Sequence, residues 1–320
     1  MNGRVIVAGS YVQDHAWQVD RFPQPGETRR ATGFNACPGG KGFNQAVACR
    51  RQGVATSFVG AIGDDALGAT ARQFAQSEQL DAHWQTCRQA PTASCSILIN
   101  ARGENLIAVH LAANEWLDPA FVLDRDFSGA RVVLCQLENN LDAIAAALAS
   151  GRAAGALCVL NPAPVHPGMD RALLDTVDIL TPNETEFALL CAQFTGMAPA
   201  APAVANLPQV QLHQLCRQLC AGTVLITLGA QGCFVSHGND RRGDHEPYYR
   251  LAPEAVTAVD TTGAGDAFSG GLAAALCLFE QQPFKTSVIH ANRVAALSTE
   301  TLGTAPAMPT RTQVQARFGD

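Results

Sequence analysis

The chain has 320 residues, of which 47% are apolar, and this is enough material for one large α/β domain or two smaller ones. Its formal net charge of −6 argues against a nucleic-acid-binding surface, because such proteins usually carry a basic face. No apolar run reaches the roughly 18 residues of a membrane span, and the opening segment MNGRVIVAGS is typical of a strand, not of a signal peptide.

The eleven cysteines are scattered, and most of them stand inside apolar runs. None forms a CxxC pair, and no cysteine–histidine cluster has the spacing of a zinc site. We interpret them as reduced, buried residues that pack as small hydrophobic side chains. Their number and placement predict a cytoplasmic protein.

Short apolar runs alternate with longer segments of helical pattern along the chain. Six runs are typical of buried strands: residues 5–9, 57–61, 132–136, 157–160, 177–181 and 224–228. Helical patterns cover residues 41–52, 67–79, 141–149, 185–192 and 212–221. This alternation predicts an α/β fold with a mainly parallel sheet covered by helices.

Two segments depart from this alternation. Residues 27–40, ETRRATGFNACPGG, have no helical period. Residues 94–110, SCSILINARGENLIAVH, predict two strands around a turn that contains Gly103. A few strands cannot bury both of their faces, so we predict a small side sheet that covers a ligand or a partner subunit.

Glycines precede an apolar, helix-like run in residues 260–271, DTTGAGDAFSGG. Gly263 and Gly265 let the backbone expose its N–H groups, and the first amides of a helix have no internal acceptor. Such amides and the helix dipole predict an anion hole for a transferring phosphoryl group. Asp266, favoured in its ionised form there, is a candidate general base for an attacking hydroxyl. The alternative is a tight turn in which Asp266 only caps the helix.

The common glycine-rich phosphate loops are absent from the sequence. No GxxxxGK[ST] pattern occurs, and the turn after the first strand lacks the glycines of a dinucleotide-binding fold. We therefore expect the phosphate chemistry at the late helix near the C-terminus.

A second glycine cluster, CPGGKGFNQAVA at residues 37–48, contains one of only two lysines in the chain. Gly39 and Gly40 bring the backbone close to a ligand, while Lys41 and Asn44 supply groups that suit sugar hydroxyls or a phosphate. The alternative is a glycine turn before a helix, with a solvated lysine.

Further polar residues follow predicted strands. Asn183 and Glu186, in TPNETE, have the spacing of a helix capping box, or they hold Mg²⁺ through water molecules. Asp14 and Glu138 each follow a buried strand, where ligands of α/β sheets gather, although Asp14 is equally consistent with an acid on a surface loop. The glycine turn in TLGAQG, residues 227–232, is a candidate nucleotide contact.

Together these segments resemble the ribokinases, a branch of the pfkB-type carbohydrate kinases, over nearly the whole chain. The matching segments are PGGKGFNQAVA, QLE, LNPAP, TPNETE, LITLGAQG and VDTTGAGDAF. The resemblance implies a three-layer α/β sandwich, with residues 1–320 as one kinase domain and a β lid formed roughly by residues 12–38 and 94–112. It also implies transfer of the γ-phosphoryl group of ATP to the primary hydroxyl of a pentose, with D-ribose as the first expectation.

The resemblance assigns roles to individual residues. Asp266 matches the catalytic base, and the anion hole is matched by Gly263, Ala264 and Gly265. Asp266 also adjoins the sugar, whose other contacts match Asp14, Gly39, Gly40, Lys41, Asn44 and Glu138. Nucleotide-binding positions are matched by Asn183, Thr227, Gly229, Gly232, Gly265 and Asn292. Glu186 matches the acidic residue associated with Mg²⁺.

A monovalent cation, K⁺, is also implied beside the anion hole. The positions that match its site are Asp260, Thr262, Ser298, Thr301 and Gly303. Ala307 departs from the pattern, because ribokinases usually have a serine hydroxyl there, so K⁺ activation is less firmly implied than ATP and Mg²⁺. The lid of the family often forms a dimer interface, which implies a homodimer here.

Two departures concern the sugar. Val12 stands where a typical ribokinase has an asparagine that reaches the sugar, and Phe43 replaces a small residue in the glycine loop. A pocket with one polar partner fewer discriminates less in favour of a hydroxyl, so 2-deoxyribose and other sugars remain alternative substrates.

Two other functions also remain open. The first is a nucleoside kinase of the same fold, against which the paired-strand lid and the GGKG loop argue. The second is a sugar- or nucleotide-binding regulator without catalysis, against which the intact Asp266, Gly265 and Glu186 argue.

Overall fold

Two separate β-sheets organise the computed structural model, which describes residues 3–319. The strands are β1 (Arg4–Ala8), β2 (Val12–Gln18), β3 (Gly33–Gly39), β4 (Thr56–Gly63), β5 (Asp81–Cys87), β6 (Ser94–Ile99), β7 (Asn105–His110), β8 (Ala130–Cys135), β9 (Leu157–Leu160), β10 (Ile179–Leu180), β11 (Thr223–Thr227), β12 (Cys233–Ser236) and β13 (Tyr248–Leu251). The α-helices are α1 (Lys41–Arg51), α2 (Ala66–Ser77), α3 (Pro119–Leu123), α4 (Leu141–Ala153), α5 (Arg171–Leu174), α6 (Glu184–Thr195), α7 (Ala201–Val204), α8 (Gln209–Leu219), α9 (Ala264–Leu278), α10 (Phe284–Ser298) and α11 (Arg311–Phe318). Short 3₁₀ helices cover Ala112–Trp116, Gly229–Gln231 and Ala305–Ala307.

The larger sheet has nine strands in the order β13-β12-β11-β10-β9-β8-β1-β4-β5. The strands from β11 to β5 run parallel to one another, and β12 and β13 pair antiparallel at one edge. Strand β4 is buried along its whole length, as expected of a strand that helices cover on both faces. The predicted α/β fold with a mainly parallel sheet is confirmed.

Side chains of the central strands alternate between two apolar cores. On β1, Val5 and Val7 belong to one core, whereas Ile6 and Ala8 belong to the other. Helices α1, α9 and α10 contribute to the first core, and α4, α6 and α8 contribute to the second. The period of two along each strand thus separates two helical layers around one sheet, which gives three layers in all.

The second sheet, here called the small sheet, has the strand order β3-β2-β6-β7. Strand β2 pairs antiparallel with β3 and parallel with β6, and β6 and β7 form the predicted hairpin. The hairpin turn contains Gly103 in a left-handed conformation, with φ of 77°. Strands β3, β6 and β7 therefore lie in the two segments in which the side sheet was predicted, whereas β2 precedes both of them.

None of the helices within residues 3–319 is long and apolar enough to cross a membrane. All eleven cysteines are unpaired; ten are buried and Cys37 is half-buried. Burial raises the pKa of many of these thiols, including Cys49, Cys135 and Cys216. This agrees with their interpretation as small hydrophobic residues.

Candidate active site

Polar residues collect where neighbouring parallel strands end. Strands β11, β10, β9, β8 and β1 are adjacent in the sheet. At or after their carboxyl ends stand, in the same order, Thr227, Asn183, Asn161, Glu138 and Asp14. A cleft at this edge has about 480 Å³ of empty space. Its lining is formed by Lys41, Asn161, Ala163, Thr181, Asn183, Glu186, Thr227, Gly263, Gly265 and Asp266. The carboxyl edge of an α/β sheet is the usual location of a ligand site.

The residues of the predicted anion hole lie at the first turn of α9. Gly263 precedes the helix in a left-handed conformation, with φ of 79°. The amide of Ala264 donates to the carbonyl of Thr261 at 3.2 Å, so this predicted donor is occupied. The amides of Gly265 and Asp266 have no acceptor among residues 3–319. Two free amides at a helix N-terminus suit an anionic oxygen.

Asp266 is buried, with 6% of its surface exposed, and it lines the cleft beside these amides. Its Oδ2 accepts a hydrogen bond from Nδ2 of Asn44 at 2.9 Å. Its Oδ1 accepts one from Nε2 of Gln45 at 3.0 Å. Each oxygen therefore receives one donor and keeps lone pairs for a further proton. Asp266 lies inside the first turn of α9 and its side chain does not cap that helix.

A buried amide network fixes the orientation of Gln45. Asn161 donates through Nδ2 to the carbonyl of Thr181 at 2.9 Å, so its Oδ1 is free to accept from Nε2 of Gln45 at 3.0 Å. Gln136 donates to Oε1 of Gln45 at 2.6 Å. Because a backbone carbonyl can only accept, it sets the direction of the whole chain and leaves Gln45 donating to Asp266. The network therefore orients the carboxylate of Asp266 through the amide of Gln45.

Two further acids lie close to the segment 37–48: Asp14 is buried and Glu138 is half-buried. Glu138 accepts from the hydroxyl of Ser10 at 2.6 Å and from the amide of Lys41 at 3.0 Å. Asp14 accepts from Thr304 at 2.8 Å and from the thiol of Cys95 at 3.0 Å. Burial raises the pKa of both carboxyl groups.

The glycines of the second cluster let the backbone approach Asp14. A Cβ atom at Gly39 would lie 2.2 Å from Oδ2 of Asp14, and Gly40 has φ of 90°. Neither position accommodates another residue without a shift. Oδ1 of Asn44 is buried without a hydrogen-bond partner among the described residues, which leaves an acceptor for a ligand hydroxyl.

Lys41 is half-buried at the start of α1. Burial favours its neutral form, but the attraction of nearby acids outweighs burial and raises its pKa; they are Asp266, Glu138, Glu186 and Asp14. Its ammonium group makes no ion pair or hydrogen bond within the part of the chain that the structure describes. A cation held among acids but bonded to none of them is available for an anionic ligand.

Asn183 and Glu186 form the predicted capping box and also line the cleft. The amide of Glu186 donates to Oδ1 of Asn183, and the amide of Asn183 donates to Oε2 of Glu186, both at 2.8 Å. Burial raises the pKa of Glu186. The backbone at Thr227 bridges to Asn183, which places the end of β11 beside the cap. The capping and ligand-binding interpretations are thus compatible.

Three predicted nucleotide positions lie outside this cleft lining. Gly229 opens the 3₁₀ turn after β11, and the carbonyl of Gly232 accepts from the amide of Leu228 at 2.8 Å. A Cβ at Gly232 would lie 2.0 Å from the carbonyl oxygen of Leu251, so packing already requires this glycine. Asn292, on α10, donates to the carbonyl of Ala252 at 2.9 Å. Each of these residues has a structural role here.

Two of the predicted cation positions, Thr262 and Gly303, contact Asp260. Its carboxylate accepts from the amides of Thr262 at 2.9 Å and Gly303 at 3.0 Å. The carbonyl of Ser298, at the end of α10, accepts from the amide of Thr301 at 3.3 Å. Asp260, Thr262 and Gly303 line one cavity with Asp14, whereas Ser298 and Thr301 do not.

Val12 and Phe43, the two residues that depart from the ribokinase pattern near the sugar, have side chains that pack against other apolar residues. Val12 is buried with Ala93 and Ile97 of the small-sheet core. Phe43 is fully buried, and its ring packs edge-on against Tyr11 and Phe58 at centroid distances of 5.2 and 5.4 Å. The expectation that Phe43 shapes the sugar pocket is therefore not supported, because its side chain fills the core.

Comparison with known proteins places this site in a family. A model of the pfkB family of carbohydrate kinases matches residues 2–311. The chain belongs to this family. It is 34% identical over 314 residues to a ribokinase of Haemophilus influenzae, and the match covers 97% of each chain.

Solved structures of pfkB-family kinases agree with the architecture. A ribokinase from Thermotoga maritima has a TM-score of 0.82 at 28% identity, over 99% of this chain and 100% of that one. The ribokinase of Arabidopsis thaliana, solved with ribose and ATP, has a TM-score of 0.80 at 27% identity, over 99% and 98%.

Several residues of the site were not predicted from the sequence. Gln45 and Asn161 stand in the matching segments PGGKGFNQAVA and LNPAP, and that position was the available signal for them. Cys95 and Thr304 carried no signal, because nothing local relates either of them to Asp14.

Proposed function

We propose that this chain transfers the γ-phosphoryl group of ATP to the primary hydroxyl of D-ribose. The observation that carries the proposal is the buried carboxylate of Asp266 beside two free amides at the N-terminus of α9. Kinship with ribokinases over nearly the full length supports a carbohydrate acceptor, and one related structure contains ribose and ATP. Residues 1–320 act as a single kinase domain.

In this proposal Asp266 takes the proton of the attacking hydroxyl. The donors Asn44 and Gln45 hold the carboxylate in one orientation, and each of its oxygens retains a lone pair that can accept the proton. The amides of Gly265 and Asp266 stabilise the charge that develops on the transferring phosphoryl group. Lys41 adds a positive charge between the sugar and the phosphates.

Asp14, Gly39, Gly40, Asn44 and Glu138 hold the sugar. The two carboxylates each keep lone pairs beyond their bonds to protein donors, and hydroxyl groups are suitable donors for them. Asn183, Thr227 and Gly265 hold the nucleotide side. Gly229, Gly232 and Asn292 are further members of the nucleotide side, outside the cleft lining.

Glu186 is suited to hold Mg²⁺ through water. Each of its oxygens accepts one bond from Asn183 and retains lone pairs, and it lines the cleft on the nucleotide side. Mg²⁺ usually keeps several waters and takes few carboxylates. When bound, it neutralises charge on the phosphates.

The Asp260 loop is suited to K⁺, with Thr262, Ser298, Thr301 and Gly303 as further members of the site. The loop and the end of α10 supply a carboxylate and backbone carbonyls, which are oxygen ligands of the kind that replace the hydration shell of K⁺. Ala307 offers no hydroxyl, so backbone or water oxygens complete the set.

The test is an ATP-consumption assay on the purified protein with ribose, 2-deoxyribose and adenosine, combined with thermal shift. We expect ribose to be the best acceptor, a rise in melting temperature with ribose, dependence on Mg²⁺ and stimulation when K⁺ replaces Na⁺. Preference for adenosine identifies a nucleoside kinase instead. A thermal shift with ribose but no turnover with any sugar identifies a non-catalytic regulator.

The small sheet acts as a lid over the sugar and as a dimer interface in this proposal. Phe34 is 59% exposed and Leu106 is 58% exposed, and the rings of His15, Trp17 and Phe34 stack together. An exposed apolar group of this kind marks an interaction surface. The unpaired cysteines support a cytoplasmic location.

Substitution on the small sheet tests the dimer. Phe34→Asp is expected to convert a dimer into a monomer in light scattering at micromolar concentration, because it places a charge in an apolar contact. Val210→Asp is the matched control, since Val210 is a similarly exposed apolar residue on α8, outside the small sheet. A parent protein that is monomeric, or a Phe34→Asp protein that stays dimeric, contradicts the lid interface.

Gly265→Ala separates stability from activity at the anion hole. A Cβ at Gly265 meets no atom within 4 Å, so alanine fits and favours the helix by about 0.5–1 kcal/mol. Its methyl group nevertheless occupies the space beside the free amides. We expect unfolding stability to be kept or increased while kcat falls roughly tenfold or more, by analogy with loss of oxyanion-hole contacts. An unchanged kcat means that the phosphoryl group does not approach Gly265.

A further inference from the structure

Asp14 is enclosed by three elements that are distant in sequence. It lies on β2, where its register partners are Cys37 on β3 and Cys95 on β6. The segment after α10 reaches the same carboxylate through Thr304. Both Asp14 and Thr304 are buried.

The two oxygens of Asp14 have separate donors. Oδ2 accepts from the hydroxyl of Thr304 at 2.8 Å, and Oδ1 accepts from the thiol of Cys95 at 3.0 Å. The rotation of a carboxylate with a donor on each oxygen is restricted, and the remaining lone pairs point in fixed directions. A bond from a hydroxyl to a charged oxygen is stronger than one from a thiol, so Thr304 is the main restraint.

Thr304 also connects the sugar region to the loop before α9. The amide of its neighbour Gly303 donates to Oδ2 of Asp260 at 3.0 Å. The hydroxyl of Thr304 lies 3.2 Å from the carbonyl of Pro38, next to the glycines of the second cluster. Continuous polar contacts therefore run from Asp14 on the small sheet to Asp260, three residues before Gly263.

We propose that Thr304 is a positioning residue for the sugar, which acts by orienting Asp14, and that Cys95 assists it on the other carboxylate oxygen. This inference rests on the proposed function, since it assumes that Asp14 accepts sugar hydroxyls. Thr304 also holds the small sheet against the Asp260 loop, so that the sugar contact forms in register with the anion hole.

The experiment compares Thr304→Val with the parent protein. Valine keeps the shape and removes only the hydroxyl. We expect KM and Kd for ribose to rise about tenfold, which corresponds to one hydrogen bond to a charged group, while KM for ATP changes less than twofold. Thr304→Ser keeps the hydroxyl and is expected to restore KM and Kd for ribose to within about threefold of the parent values. Cys95→Ala is expected to have a smaller effect than Thr304→Val.

Thr70→Val is the matched control. Thr70 lies on the exposed face of α2, and its hydroxyl donates only to the carbonyl of Ala66 in the same helix. The same chemical change there should leave both KM values unchanged. If Thr304→Val does not fold, Thr304→Ala, which only removes atoms, takes its place with the same expectations.

The pH profile distinguishes orientation of Asp14 from a general loss of structure. Burial raises the pKa of Asp14, and the hydrogen bonds from Cys95 and Thr304 lower it. Removing the hydroxyl therefore raises this pKa further, so the acid limb of kcat/KM for ribose moves to higher pH. The other titratable groups that face Asp14 are the same in both proteins: Tyr11, His15, Cys37, Lys41, Cys95 and Asp266.

The outcomes separate this inference from the proposed function. A parent protein without turnover on ribose overturns the proposed function and the inference with it. A parent that phosphorylates ribose, combined with a Thr304→Val protein whose ribose KM and acid limb match the parent, overturns the inference alone. Equal increases in KM for ribose and ATP also overturn it, because they indicate a structural effect.

Discussion

Asp266→Asn is expected to lower kcat for ribose phosphorylation by about 10²–10⁴-fold, the usual contribution of a general base. The folded structure and ribose binding should persist. Gln45 cannot rotate its amide, because Asn161 and Gln136 fix it, so Oδ1 of the new asparagine faces Gln45. Asn44 can rotate, because its own Oδ1 has no partner among the described residues, and it can then accept from the new amide.

The measurement is steady-state kinetics together with ribose affinity by calorimetry. Asp142→Asn is the matched control, because Asp142 also lies in the first turn of a helix, α4, but is exposed and distant from the cleft lining. A turnover rate for Asp266→Asn close to that of the parent would show that another group takes the proton.

Lys41→Met is expected to lower kcat/KM for ribose by about 10²–10³-fold, the range found when one preorganised donor to a developing anion is removed. Methionine keeps much of the length of the side chain and removes its charge. Because the ammonium group is surrounded by acids without an ion pair to any of them, its loss leaves the carboxylates to repel an incoming phosphate.

The second lysine provides the control for this substitution. Lys285 is exposed on α10, 4.0 Å from Glu246 and stacked on the ring of Tyr249. Lys285→Met should leave kcat/KM unchanged. If Lys41→Met matches it, Lys41 is a solvated residue without a part in the reaction.

The pH dependence of Lys41→Met adds a second readout. Burial raises the pKa of Glu138, and the charge of Lys41 opposes this increase. Without Lys41 the pKa of Glu138 rises further, so the carboxylate becomes protonated at higher pH. The residual activity of Lys41→Met should therefore decline at a higher pH than that of the parent as the solution is acidified.

Local patterns were sufficient for the central strands, for the helices beside them and for much of the site. Buried strands such as β4 are short, mainly apolar runs between helix-like segments, and this alternation is visible in the chain itself. Gly263 and Asp266 stand in one short segment, so the free amides and the carboxylate of the α9 turn were predictable from the conformational freedom of glycine and the missing acceptors of a helix start.

The contacts that orient these groups were decided only by the tertiary structure. Gln45 and Asp266 are 221 residues apart, and Asp14 and Thr304 are 290 apart, so no local period or spacing relates the members of either pair. The burial of Phe43 likewise depends on which face of α1 meets the sheet. By itself, the sequence determined the central strands and their neighbouring helices, the glycine turns and the chemical groups at the site. The fold decided which donor meets which carboxylate, because hydrogen bonds are short and directional and their partners are brought within 3 Å only by packing.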